Sequence, residues 1–100
     1  MEKGDDMAVT KKFTVLNKVG LHARPAAKFV KAAASMKENS VLIENLSKQT
    51  PQVNAKSFTS VLSISVQQND EVQLVIEGAN AENAMQVFAD LFATRFGEDE

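Results

Sequence analysis

The chain has no cysteine, no tryptophan and no tyrosine, and its 100 residues include a single histidine, 2 prolines and 4 glycines. Without cysteine there is no disulfide framework, no thiol nucleophile and no cysteine-held metal or iron–sulfur centre. One histidine is too few for a multi-histidine zinc site, so no metal or cofactor is expected. No apolar run approaches the ~20 residues of a membrane-spanning helix. The opening Met1-Glu2-Lys3-Gly4-Asp5-Asp6 lacks the basic-then-apolar layout of a signal peptide. With 11 basic and 13 acidic residues the net charge is −2, which offers no electrostatic footprint for nucleic acid or a membrane surface. The expectation is a cytoplasmic protein whose chemistry rests on very few groups.

What is there reads as one domain. A composition of 44% hydrophobic and 24% charged residues is that of a globular chain. A chain of this size buries roughly two-thirds of its unfolded surface, enough for one core. Residues 1–7 are polar and read as a flexible extension, 98–100 as an acidic solubilising tail, and 8–97 as the folded domain, without internal repeats.

Lys12–Leu16 has a strand pattern with Phe13 and Val15 on one face. Ala23–Met36 is alanine-rich, with Ala23, Ala26, Ala27, Val30, Ala33 and Ala34 at helical spacing and Lys28, Lys31 and Ser35 off that stripe. Val41–Glu44 is a second strand. Asn45–Gln52, with Pro51, suits a hairpin leading to a brief strand at Val53, followed by a short helix, Ser57–Leu62, with Phe58, Val61 and Leu62 inward. Glu71–Glu77 alternates, with Val72, Leu74 and Ile76 facing one way. The last helix, Ala81–Arg95, aligns Ala81, Ala84, Met85, Phe88, Leu91 and Phe92, with Asn80 as N-cap, Gly97 as stop and Phe96 at the core margin. The expected fold is α+β: an open-faced two-layer β-sandwich, a four-stranded mainly antiparallel sheet covered on one side by three helices, in the order βαββαβα.

Local rules break at Val19-Gly20-Leu21-His22-Ala23-Arg24-Pro25-Ala26-Ala27. Helices favour Ser, Thr, Asp or Asn at the N-cap and acids in the first turn. This one starts with His22 and sets Arg24 beside the positive end of the dipole, while Pro25 fits a first turn whose N–H groups have no partner to lose. Free N–H groups, the dipole and a guanidinium converge there, which suits anion capture. A histidine at such a site, with a free ring-nitrogen lone pair, can attack phosphorus and carry a phosphoryl group covalently. The competing reading, a surface N-cap histidine beside a solvated arginine, accounts for an arbitrary His-x-Arg but not for the whole string.

The string Gly20-Leu21-His22-Ala23-Arg24-Pro25-Ala26 resembles the phosphorylation-site signature of the HPr family, the histidine-containing phosphocarriers of the sugar phosphotransferase system. The resemblance runs from Phe13 to about Gly97 and includes Val53-Asn54-Ala55-Lys56-Ser57 and Gly78-x-x-Ala81-x-x-Ala84. It implies a monomeric carrier, not an enzyme, that accepts a phosphoryl group on Nδ1 of His22 from phosphorylated enzyme I, which draws it from phosphoenolpyruvate. The group would then pass to a histidine of a IIA-type domain, with Arg24 stabilising the phosphate. Ser57 matches the position that a serine kinase/phosphorylase modifies in many members; its plainer role is an N-cap. The chain departs from the commoner pattern at Thr59-Ser60, where an apolar residue and glycine are frequent, and in a longer Asn45–Gln52 hairpin, a lengthening that costs little. Lys28, Lys31 and Phe58 are candidate partner-binding residues beside the histidine.

Two rivals stay open: a carrier serving a nitrogen-linked regulatory branch, and a partner-binding α/β module acting through its open sheet, which predicts no dependence on His22. An RNA-binding sandwich is disfavoured by the missing Tyr and Trp and the net charge of −2.

Overall fold

The computed structural model describes residues 8–98, so the extension assigned to residues 1–7 and the tail residues Asp99 and Glu100 lie outside the described residues. The elements are β1 (Val9–Thr14), α1 (Ala23–Ser35), β2 (Asn39–Asn45), β3 (Val53–Asn54), α2 (Phe58–Ser63), β4 (Glu71–Gly78) and α3 (Ala81–Ala93), followed by a 3-10 turn over Arg95–Gly97. The strands form one sheet in the order β1-β4-β2-β3, and all three pairings are antiparallel. The expected order βαββαβα and the open-faced two-layer form are those observed.

Register follows from the alternation in β4. Val72, Leu74 and Ile76 oppose Phe13, Lys11 and Val9 on one side and Asn45, Ile43 and Val41 on the other. A slip by one residue would turn this apolar row to the outer face, so burial fixes the pairing. Helices cover that face, and its valine, leucine and isoleucine side chains join Phe29, Ala33, Phe88, Phe92 and Phe96 in one core. The outer face carries Thr10, Lys12, Thr14, Glu71 and Glu77, all exposed.

The alanine-rich helix corrects the expected stripe. α1 buries Pro25, Ala26, Phe29 and Ala33, while Ala23, Ala27 and Ala34 are exposed. Alanine fits either face at little cost, so the orientation is set by Phe29, whose ring meets Phe88 at 5.2 Å and Phe96 at 6.4 Å between centroids. β1 begins three residues before the expected strand, and Leu16 at its expected end is exposed, because pairing with β4 stops at Thr14 opposite Glu71. Phe58, expected inward, is 42% exposed, while Val61 is buried.

The last helix also ends early. α3 stops at Ala93, and Arg95, Phe96 and Gly97 all take positive φ (56°, 55° and 78°), curling the chain back so that Phe96 is buried against Phe92 and Phe29. Asn80 does occupy the N-cap, but at φ 57° and without a side-chain capping bond. The hairpin from Asn45 to Gln52 does more than lengthen a loop. Leu46 N–H donates to Glu71 O at 2.8 Å, Glu71 N–H donates to Ser47 Oγ at 2.8 Å, and Lys48 pairs with Asp70. No helix among the described residues is long and apolar enough to cross a membrane.

Candidate functional site

His22 is the N-cap of α1, in extended conformation (φ −124°, ψ 159°), exposed, and its ring makes no capping bond. Ala26 N–H donates to His22 O at 3.4 Å, and Pro25 has no N–H, so the Ala23 and Arg24 amides are the first-turn donors left open. Ala23 itself has φ 50°. The left-handed region costs a non-glycine residue roughly 1–2 kcal/mol, which the packing of Leu21 and Pro25 on either side must offset. Leu21 and Pro25 are buried, whereas His22, Ala23 and Arg24 all face solvent. The sharp turn thus pushes three consecutive residues outward between two anchors.

The anchors on the entry side are polar as well as apolar. Gly20 N–H donates to Asn17 O at 3.1 Å, the Asn17 side chain donates to Gly20 O at 2.7 Å, and Leu21 N–H donates to Val66 O at 3.1 Å. Gly20 has φ 63°, and a Cβ there would lie 2.2 Å from Val66 O, so both the angle and the close approach require glycine.

Arg24 is 82% exposed and its Nη2 lies 3.6 Å from Glu98 Oε1. Glu98, expected to be a solubilising tail residue, is brought there by the curl at Arg95–Gly97, which Lys28 fastens by donating to Phe96 O at 2.7 Å. Lys28 therefore serves as an intramolecular tie across 68 positions of sequence. Lys31 is exposed one turn further along α1. The first acid to meet the positive end of α1 thus comes from the C-terminus, since the first turn of the helix carries none.

Ser57 caps α2, accepting from Ser60 N–H at 3.3 Å, with its hydroxyl also 3.3 Å from Thr59 Oγ1. The structure does not bring it to His22. Its neighbour Lys56 donates to Met36 O at 2.9 Å and Asn39 O at 2.6 Å, at the far end of α1. Thirteen helical residues span ~20 Å, so these Lys56 contacts mark the end of α1 opposite His22 and Arg24. α2 packs along α1 between them, and the Val66 carbonyl just beyond it returns to Leu21. Leu16 and Val19, 42% and 48% exposed, add apolar surface in the loop before His22.

No group of three His, Asp or Glu side chains that could hold a metal ion comes together among the described residues. Chemically the site offers an accessible imidazole, two open amides, a dipole end and an exposed cation. Sequence reasoning missed the buried Asn17, the left-handed Ala23 and the Glu98 pairing. Asn17 carried a readable sign, since Asn-x-x-Gly is a side-chain-closed turn pattern; the other two depend on distant chain segments.

Residues 9–94 match the family model described as PTS HPr component phosphorylation site. The chain is 38% identical over 86 residues to the phosphocarrier protein HPr of Xylella fastidiosa, covering 86% of this chain and 92% of that one. It is 36% identical to the phosphocarrier protein HPr of Treponema pallidum, over 91% of this chain and 99% of that one. The crystal structure of HPr-C-His from Thermoanaerobacter tengcongensis superposes with a TM-score of 0.84 at 37% identity, covering 92% of this chain and 99% of the other. On signature, fold and relatives together, this chain belongs to the HPr family, the phosphocarriers of the phosphotransferase system, which relay a phosphoryl group rather than turn over a free substrate.

Proposed function

We propose that His22 is the residue that carries the phosphoryl group, taken from phosphorylated enzyme I and handed to a histidine of a IIA-type domain in the cytoplasm. The observation that carries this reading is the exposed, uncapped imidazole of His22 at the start of α1 with Arg24 in the first turn. The Nδ1 lone pair attacks phosphorus while the bond from phosphorus to the donor nitrogen breaks, and the donor imidazole leaves neutral. The second transfer is the same step run toward a new acceptor. Little covalent chemistry is asked of the protein, so positioning and charge stabilisation suffice without a resident metal.

Arg24 supports the transferring oxygens. It exchanges its contact with the half-buried Glu98 carboxylate for the phosphoryl group, a swap that costs little because the guanidinium is solvent-exposed and the contact is long, at 3.6 Å. The apolar surface at Leu16, Val19 and Phe58 suits docking of partners. Lys31 and Phe58 remain candidate docking residues, as does Lys28 while its tie to Phe96 O is kept. Ser57 is the proposed site for a serine kinase, where a phosphate acts on the docking of partners.

The test is incubation with enzyme I and labelled phosphoenolpyruvate. Acid-labile, base-stable label on the wild type and none on a folded His22→Ala variant is the expected result. Equal labelling of both would overturn the reading, and would favour a module that works through its open sheet.

A further inference from the structure

Among the described residues two polar side chains are fully buried, Asn17 and Asn45. Asn45 is accounted for by the fold, since its amide donates to Ile64 O and to the Asp70 carboxylate, each at 3.0 Å. Asn17 is 1% exposed and spends its amide on a single backbone carbonyl, Gly20 O, at 2.7 Å. We infer that Asn17 is a positioning residue for phosphoryl transfer: by locking the Gly20–Leu21 peptide it aims the imidazole of His22. The inference rests on His22 being the acceptor.

The peptide that joins Gly20 to Leu21 is held at both ends. Its carbonyl accepts from Asn17 Nδ2, and its N–H donates to Val66 O at 3.1 Å. Its mobility is cut further by the Leu21 side chain, which is buried, and by the approach of Gly20 to the Val66–Gln67 backbone. The next residue is His22, and its ring has no hydrogen-bond partner among the described residues. An imidazole without a side-chain partner takes its direction from the backbone before it. Of the hydrogen-bonding groups that fix that backbone, the Asn17 amide is the one supplied by a side chain, and it acts from a buried position.

Removing the amide leaves the Gly20 carbonyl unpaired inside the protein and frees the peptide to rotate. In-line transfer between two histidines tolerates little of this, since a misplacement of ~1 Å can cost about a hundredfold in rate. The donor protein would still meet the same exposed surface, so its affinity should be nearly unchanged.

Single-turnover labelling over a range of phosphorylated enzyme I concentrations separates maximal rate from half-saturation. For Asn17→Ala the expected result is full labelling stoichiometry, a maximal rate lowered about tenfold or more, and a half-saturating concentration within about twofold of wild type. Hydrogen exchange of the Leu21 amide should quicken by about tenfold or more, reporting the freed peptide independently of transfer. Asn39→Ala is the control, because it removes donors to Glu77 O and Ala79 O beyond the far end of α1. It should lower stability and leave the maximal rate alone. Should Asn17→Ala fail to fold, Asn17→Ser, whose hydroxyl is too short to span the turn, carries the same expectation. A wild-type maximal rate in a folded Asn17 variant, with wild type labelling normally, overturns the role of Asn17 alone. Absence of label on the wild type overturns the acceptor reading, and this inference with it.

Discussion

Asp70 ties the Asn45–Gln52 hairpin to the turn before β4 through one carboxylate oxygen. Its Oδ2 accepts from Lys48 Nζ, from Gln67 N–H at 2.9 Å and from Asn45 Nδ2 at 3.0 Å. Replacing it with alanine is expected to cost about 3 kcal/mol. The lost bond to the buried Asn45 amide leaves one N–H unsatisfied, worth about 1–3 kcal/mol. Gln67 is exposed, so its N–H turns to water at a cost of about 1 kcal/mol, and the exposed Lys48 pair adds at most about 1 kcal/mol. Asp70→Asn keeps an oxygen for Gln67 and Asn45 and loses only the charge, so about 1 kcal/mol is expected. Burial raises the Asp70 carboxyl, but the Lys48 hydrogen bond, the Gln67 N–H, the Asn45 amide and the Lys48 charge together outweigh it and hold the group below its ordinary value. The folded state therefore favours the ionised form, and that stability is present above the ordinary carboxyl value of about 3.9 and lost as pH falls through the lower folded value. With phenylalanine as the sole aromatic type, urea unfolding is best followed by far-ultraviolet circular dichroism. The gap between wild type and Asp70→Asn should be full at pH 7 and narrow progressively only as pH falls below about 4. An Asp70→Ala loss under about 0.5 kcal/mol, or a wild-type gap over Asp70→Asn that persists undiminished in acid, would refute the role of this carboxylate as the tie.

Arg24→Lys keeps the charge but loses the planar fork, and transfer to His22 should slow roughly thirtyfold, about 2 kcal/mol, with stability nearly unchanged; equal rates in rapid-quench labelling would make Arg24 ordinary surface. Glu98→Gln releases Arg24 from its carboxylate partner, so acceptance at His22 should quicken by up to about fivefold at low salt, and unaltered kinetics would show that the pair does not compete with phosphate. Ser57→Asp should label more slowly than Ser57→Ala through a higher half-saturating concentration of enzyme I. The difference should shrink in high salt, where the screening length falls to ~3 Å at about 1 M, and an effect on maximal rate alone would refute an action through docking.

Much of the fold could be read from periodicity because the informative elements bury one face. Val72, Leu74 and Ile76 alternate and lie in the core as their spacing requires. The alanine helix was harder, since alanine neither needs burial nor resists it, and a single residue, Phe29, chose the face. The C-terminal curl was beyond local reading. Arg95 and Phe96 are not residues that announce positive φ, and they adopt it because burying the Phe96 ring and pairing Lys28 with Phe96 O outweigh the local strain. The same holds for Ala23, where the sequence shows a helix start but not the left-handed turn that exposes it.

At the site, the sequence displayed the residues that break local rules and concealed what holds them in place. His22 and Arg24 stand out because they violate helix-start preferences, and a violation can be seen in one dimension. What holds them is different in kind: Asn17 looks like an ordinary turn former, Gly20 like an ordinary turn glycine, and Val66 like an ordinary apolar residue. Only their meeting across 45 positions, with Leu21 N–H donating to Val66 O, makes a bracket of them. A relay of this kind needs an acceptor that two different proteins can reach, which excludes a deep pocket and forces the imidazole to the surface. An exposed imidazole has no walls to orient it, so rigidity must come from the backbone beneath. The buried amide of Asn17, the glycine pressed on Val66 and the anchored Leu21 supply that rigidity from below, while His22 itself stays exposed to solvent.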